Sequence, residues 1–307
     1  LDLAMLETKN AGYLSLLFAS DALADGGTFD EVAAASRDFP SGLSDRLRDQ
    51  VYEHTVPRLA AAIAARHEVT PDKEALDSIY HAALTVLFRL LFVAYAEDRR
   101  LLPSDTDLYR AASLKAIAHD LAAAKNENRP LGFDDPFTGA TDDTAKGSSE
   151  LWSRCRTLFR AVDKGHPRLG IPPYNGGLFD DKSPEGKLIA SLDLNDVEFG
   201  PALAALILDR APDGGYGPID FRSLSVREFG SIYEGLLENE LAVAAQDLAL
   251  KKDTKLKAEV YVPAGEGDDV SVAAGTVYLH NASGARKSSG SYFTPAFAVD
   301  HLIGTAL

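Results

Sequence analysis

Cysteine, methionine and tryptophan each occur once in 307 residues, and Lys plus Arg number 31 against 46 Asp plus Glu. The lone Cys155 excludes an internal disulfide framework and fits a reducing compartment, so a cytoplasmic protein is expected. No charged-then-apolar leader opens the chain, residue 1 is Leu and the one Met is Met5. These features read as a piece of a larger protein. A run of the ~20 apolar residues a bilayer requires is also missing. The most apolar stretch, Ala82 to Ala96, contains Arg89, and it is expected to be a buried helix with no membrane partner. What is present, 46% hydrophobic and 25% charged residues, excludes collagen-like, low-complexity and wholly disordered chains. The length suggests about two domains.

The formal net charge is −15, which should repel polyanions unless basic groups are gathered locally. Residues 251–307 balance Lys251, Lys252, Lys255, Lys257, Arg286 and Lys287 against Asp253, Glu259, Glu266, Asp268, Asp269 and Asp300. The acidity therefore belongs to residues 1–250, which make a poor surface for tracking DNA phosphates.

Helical periodicity dominates those first 250 residues. Helices are expected over 11–23 and 28–35, the second with room to extend to Arg37. A long amphipathic helix is expected over 44–66, with Leu47, Val51, Val56, Leu59, Ala60 and Ile63 on one face and a kink at Pro57. Thr70-Pro71 reads as a cap followed by a first-turn proline. The helix it opens is apolar nearly all round and suits the middle of a bundle. One further helix is expected over 105–124 and another over 150–162. Between them, 126–149 is rich in Gly, Pro and Asp and reads as a mobile surface loop. Asn175-Gly176-Gly177 suggests a tight turn with positive φ, and a helix is expected around 200–211. Ser225-Val-Arg-Glu228 has the form of a capping box opening a helix of about 20 residues. Ala258–Val262 and Thr276–His280 alternate with period two and read as one antiparallel hairpin.

Few residues carry chemistry on their own. The seven His residues give no ligand spacing and Cys155 has no Cys or His nearby in sequence, so no metal site is expected. Arg89 and Glu97, at the apolar helix, suit structural pairing with neighbouring helices better than catalysis. Arg99-Arg100 reads as a solvated helix end. Asp2, Glu7 and Lys9 have the acid…acid-x-Lys form of metal-dependent nucleases, which bind Mg²⁺ at the end of a strand, but their surroundings look helical. Near the end of the chain, Arg286-Lys287 precede Gly290-Ser-Tyr292-Phe293-Thr294-Pro295 and an apolar helix. Exposed N–H groups at such a helix start suit an anion, and paired aromatics suit a flat or cationic group. A loop-to-helix joint with two core aromatics accounts for the same residues.

Arg-Lys-x-x-Gly-x-Tyr-Phe-Thr-Pro followed by an apolar helix resembles motif X of adenine-specific (N6) DNA methyltransferases. The closer likeness is to the large type IIG restriction–modification enzymes and related phage-defence methyltransferases. Three more stretches, in the family's order, are similar to the helical region that precedes the methyltransferase domain there. They are Arg89-Leu-Leu-Phe-Val-Ala-Tyr-Ala-Glu97 through Pro103, Asn175-Gly-Gly-Leu-Phe179, and Phe229-Gly-Ser-Ile-Tyr-Glu234 with Leu236-Leu237. The resemblance implies an S-adenosylmethionine pocket wall at Gly290, Tyr292, Phe293, Thr294 and Pro295, and DNA contacts at Arg286 and Lys287. It assigns no catalytic residue to this chain, because the family's glycine-rich motif and Asn/Asp-Pro-Pro-Tyr/Phe tetrad are not in it. Pro172-Pro173-Tyr174 is preceded by Ile171, which cannot accept from an adenine amino group, and a rigid turn is expected there.

The expected fold is mainly α: a helical connector domain over 1–250, a β-hairpin over 251–283, and the start of a methyltransferase domain, motif X and its first helix, over 284–307. The implied function is that of a fragment of a DNA adenine-N6 methyltransferase in a restriction–modification or phage-defence system, inactive alone. Double-stranded DNA is the partner through the full-length protein, alongside further restriction or defence subunits, with Mg²⁺ needed only if a nuclease module accompanies it. The alternatives are a non-catalytic acidic helical scaffold and a nuclease using Asp2, Glu7 and Lys9.

Overall fold

The computed structural model describes residues 12–38, 43–66, 70–174, 176–211, 214–224, 226–253 and 258–281. Helices dominate these residues, joined by two-stranded antiparallel sheets. The chain divides into two compact units, 1–47 and 48–307. In the first, α1 (Gly12–Phe18) and α2 (Thr28–Asp38) are joined by a bend in which Phe29 N–H donates to Ala22 O. The Phe18 and Phe29 rings meet at 6.4 Å. A Cβ at Gly27 would lie 2.6 Å from the Ala22 carbonyl oxygen, so only glycine fits that bend.

The helix expected over 44–66 is divided into α3 (Leu43–Gln50), a π turn at Val51–Thr55 and α4 (Val56–Ala64). Pro57 does not kink a continuous helix; it sits in the first turn of α4, where its missing N–H leaves no donor unpaired. The Val56 N–H reaches back to Val51 O, and the widened turn accommodates the proline ring.

α5 (Lys73–Asp98) is the longest helix. Its cap is Asp72, which accepts from Ala75 N–H at 2.9 Å, and not Thr70. Asp72 is the residue with the extended backbone, and a carboxylate there also complements the positive end of the helix dipole. By length and composition α5 could cross a bilayer, but 72% of its apolar window is buried within the fold. It packs against α4, α7 (Leu114–Asn126), α8 (Glu150–Lys164), α9 (Pro184–Ser191) and β3 (Asn239–Val243). The single helix expected over 105–124 is two, α6 (Asp107–Ala112) and α7. Ser113 takes an extended conformation and caps α7 through Ala116 N–H.

Residues 127–149 form no regular element, yet side chains hold them in place, which differs from the expected mobile loop. Gly132 N–H donates to Asp142, Asp142 N–H to Asp134, and Ala145 N–H to Gly132 O. Asx turns, in which Asp135 accepts from Phe137 N–H and Asp142 from Thr144 N–H, supply local structure in place of regular elements. Phe133 is 1% exposed and sits on Gly200 of α10 (Asp196–Ile207). The Lys125 ammonium pairs with Asp135 and lies 4.0 Å from the Tyr216 ring centroid.

α10 opens with a capping box, Asn195 with Glu198, and Arg66 holds Glu198 by two hydrogen bonds. Asp196 caps the facing helix α8 by accepting from Leu151 N–H at 2.9 Å. α10 is buried from Phe199 to Ile207, sets Phe199 edge-on to Trp152 at 5.1 Å, and runs straight into β1 (Leu208–Arg210), paired with β2 (Tyr216–Pro218).

Toward the end of the described chain, α11 (Val226–Leu236) stops well short of 20 residues, and Ser225 lies outside the described residues. Asn239 donates to Gly235 O, closing the helix, and the five residues Asn239–Val243 become β3. Here Leu237, Leu241 and Ala244 keep helical spacing by coincidence. Pairing with β6 (Val277–Asn281) overrides it. The expected hairpin between 258–262 and 276–280 is likewise corrected. β5 (Ala258–Pro263) pairs with β4 (Leu248–Asp253), and β6 pairs with β3 outside that hairpin. Tyr261 and Tyr278, one from each pair, meet at 5.0 Å over the small cluster of Ala244, Leu248 and Val272.

Two outcomes follow. A Cβ at position 200 would lie 2.3 Å from Phe133 Cδ1. Gly200→Ala should therefore destabilise by about 1–3 kcal/mol in urea unfolding, against the ~1 kcal/mol gain that helix propensity alone assigns. At Asp135, burial disfavours the charge, but the Lys125 ammonium, Phe137 N–H and Thr138 hydroxyl together hold its pKa below 3.8. Its contribution is present above that value and lost as pH falls through the lowered one. Asp135→Asn should cost about 1 kcal/mol at neutral pH, and the gap to the parent chain should close in unfolding curves taken at progressively lower pH.

Candidate functional site

α5 is where distant parts of the chain converge. Its buried residues Leu87, Leu90, Leu91 and Ala94 make ordinary core contacts. Phe88, Phe92 and Tyr95 follow helical spacing along a half-buried stripe. Phe92 meets Phe179 at 5.3 Å and Tyr174 at 6.3 Å. Phe88 meets Tyr233 at 5.5 Å and Tyr95 meets Phe229 at 5.6 Å, both edge-on, the arrangement ring quadrupoles favour. The hydroxyl of Tyr80 donates to Leu236 O at the end of α11. Tyr52 donates to Ile232 O, and Gly235 leaves room for that ring: a Cβ there would lie 1.9 Å from the Tyr52 hydroxyl oxygen.

Two charged residues of α5 are buried, Arg89 at 4% and Glu97 at 5% exposed. They are eight residues apart on the helix and do not pair with each other. Arg89 Nε donates to Leu178 O at 2.7 Å, and its guanidinium lies 5.7–5.8 Å from the Phe179 and Phe159 ring centroids. The carbonyl it needs is presented by the short 3₁₀ turn Gly177–Phe179. The turn expected at Asn175-Gly-Gly does not require positive φ at Gly176, which takes −87°. The left-handed glycine of this segment is Gly170, at 71°. Asn175 lies outside the described residues.

Glu97 accepts from the Tyr109 hydroxyl at 2.7 Å and from Leu114 and Lys115 N–H at 2.9 Å each. Its carboxylate therefore occupies the start of α7, where unpaired N–H groups and the helix dipole favour an anion. Burial pushes the Glu97 carboxyl above its ordinary value, against the pull of those three donors. Burial beside Glu97 pushes the Tyr109 hydroxyl up as well, which keeps its proton available for donation. The partners of both charges are backbone and hydroxyl groups, rather than the opposite charges on neighbouring helices that pairing implies.

The remaining sequence candidates sort plainly. Gly290, Tyr292, Phe293, Thr294, Pro295, Arg286 and Lys287 lie outside the described residues, as do Asp2, Glu7 and Lys9. Ile171-Pro-Pro-Tyr174 forms a turn pinned by Tyr174 N–H to Val162 O and Tyr174 hydroxyl to Leu101 O. Cys155 is fully buried and its thiol is pushed up to about 12, which makes it an unreactive core residue. Arg99 is not simply solvated: it donates to Arg222 O and lies 5.2 Å from the Tyr95 ring centroid. Among the described residues, no group of three or more His, Cys, Asp or Glu is placed to hold a metal. Sequence reasoning missed Tyr109 and Lys115, which no spacing ties to Glu97, and Arg156 and Arg160, whose i,i+4 spacing flanking Phe159 was the available signal.

No protein-family model, curated protein or solved structure matches the chain.

Glu97→Gln tests the α7 anchor. One oxygen becomes an NH₂ facing backbone donors, so the variant should lose about 1–3 kcal/mol by denaturant unfolding. With its pKa raised in the fold, Glu97 binds a proton more readily folded than unfolded. Its contribution is therefore full below 4.5 and declines as pH rises through the raised value. The gap between the two proteins should narrow as pH rises across that window; a gap that widens would reverse the assignment.

Proposed function

We propose that this chain is the helical connector, with the entrance to the cofactor pocket, of an S-adenosylmethionine-dependent DNA adenine-N6 methyltransferase of a restriction–modification or phage-defence system. The observation that supports it most is spatial. The three upstream stretches that resemble the family, at 89–103, 175–179 and 229–237, meet on α5 through Arg89 to Leu178 O, Phe92 with Phe179, Phe88 with Tyr233 and Tyr95 with Phe229. The pocket residues, Gly290 and Tyr292 to Pro295, are assigned on the sequence resemblance.

On this reading the chain's residues hold geometry and carry out no bond-making. α5 and its aromatic partners brace the segment that leads into the methyltransferase domain, and Tyr292 and Phe293 line the methionine end of the cofactor. The cofactor supplies the activated methyl; the protein aligns it with the flipped adenine's amino group, where positioning lowers the barrier. An acidic scaffold without catalysis is the second reading, favoured by the charge of −15.

One assay separates the two. The full product of the native gene, given duplex DNA and S-adenosylmethionine labelled in its methyl group, should leave label in DNA as N6-methyladenine after hydrolysis to nucleosides. Absence of methylated adenine would favour the scaffold. The isolated 307-residue chain should show no micromolar heat of S-adenosylmethionine binding in calorimetry.

A further inference from the structure

A cleft of about 60 Å³ lies between α5, α8, α9 and the 177–179 turn. Arg89, Arg156 and Arg160 line it together with Phe159, Phe179 and Ile189. The arginines form a gradient from interior to solvent: Arg89 is buried, Arg156 half-buried and Arg160 exposed. Arg156 and Arg160 are one turn apart on α8, and like charges at that spacing repel. Two carboxylates also line the cleft, Asp163 and Asp181, and the Lys164 ammonium holds both, at 2.6 and 3.3 Å.

Among the described residues none of the three guanidiniums has a carboxylate within ion-pair distance. Arg89 uses Nε on Leu178 O and a long contact to Asp180 O. Arg156 donates to Leu192 O at 3.2 Å, and Arg160 makes no hydrogen bond to another described residue. Each guanidinium has five N–H donors and stays charged at physiological pH. Most of these donors are therefore unused. Three guanidiniums against the two lining carboxylates leave one net positive charge at a half-apolar cleft, and at its rim Lys164 and Asp180 offset each other, in a chain that is otherwise strongly acidic.

We propose that this cleft binds the terminal phosphate of a small molecule, with Arg89 at its closed end and Arg156 and Arg160 flanking the anion. Forked guanidinium donors match phosphate oxygens in pairs, and the locally positive charge favours an anion there. Phe159, Phe179 and Ile189 exclude water from one side and suit an apolar portion of the ligand. A nucleic-acid backbone fits less well, because the chain's net charge of −15 repels an extended polyanion. The proposal stands independently of the methyltransferase reading.

The test is thermal unfolding of the 307-residue chain in increasing inorganic phosphate, with ionic strength held constant by sodium chloride. Phosphate also stabilises proteins non-specifically at high concentration, so the decisive features are saturation in the millimolar range and response to mutation. Arg160→Ala removes no hydrogen bond or ion pair among the described residues and should fold normally. It should raise the half-saturating phosphate concentration about tenfold, and adenosine monophosphate should stabilise the parent chain more than adenosine does. A rise that never saturates, no rise at all, or a half-saturation point unmoved in Arg160→Ala would each overturn the site.

Discussion

Burying a charged side chain within an apolar helix is costly unless hydrogen-bond partners hold its charge. α5 does this twice, at Arg89 and at Glu97. Neither residue can obtain its hydrogen bonds from its own helix, where backbone groups are already paired. Both must recruit groups from elsewhere, and apart from the Tyr109 hydroxyl what they recruit is backbone: the Leu178 carbonyl for one, the first N–H groups of α7 for the other. Backbone partners fix the chain's path more tightly than side-chain partners do, because they leave fewer rotatable bonds between the charge and the fold. The 177–179 turn and the α6–α7 corner are therefore held where α5 needs them.

The same logic explains why short, separated motifs of this chain meet in space. The stretch around Arg89 requires a presented carbonyl, and Asn-Gly-Gly-Leu-Phe supplies a turn that presents one and an aromatic, Phe179, that packs on Phe92. The stretch at 229–237 contributes Phe229 and Tyr233 to the outer edge of the same stripe. Arg89 has a double position in this arrangement. Its Nε is spent on structure, while it also lines the closed end of a cleft into which Arg156 and Arg160 bring further positive charge.

Helices were largely legible because their information is local: α5, α8 and α10 announce themselves by period and composition. Their ends were less so. Thr70-Pro71 looked like the better cap, yet Asp72 has both the extended backbone and the carboxylate. The 105–124 helix hid a break at Ser113, since serine is tolerated within helices and only its hydrogen bond to Ala116 reveals it as a cap. The strands at 258–262 and 276–280 were found by alternation, but alternation does not name a partner. β3 and β4 completed the two pairs, and β3 was concealed within an apparently helical pattern. Of the candidate site, Arg89 and Glu97 stood out as charges in an apolar run, whereas Tyr109, Arg156 and Arg160 acquired meaning only from their neighbours.

The sequence by itself determined a mainly helical, acidic chain with one dominant buried helix, because periodicity, charge and caps act within a few residues and need no partner. The tertiary structure alone decided which strands pair, how the loop at 127–149 is anchored, and where three arginines come together. Those outcomes depend on groups dozens of residues apart. Their hydrogen-bonding and Coulomb energies are realised only once folding brings them within a few ångströms.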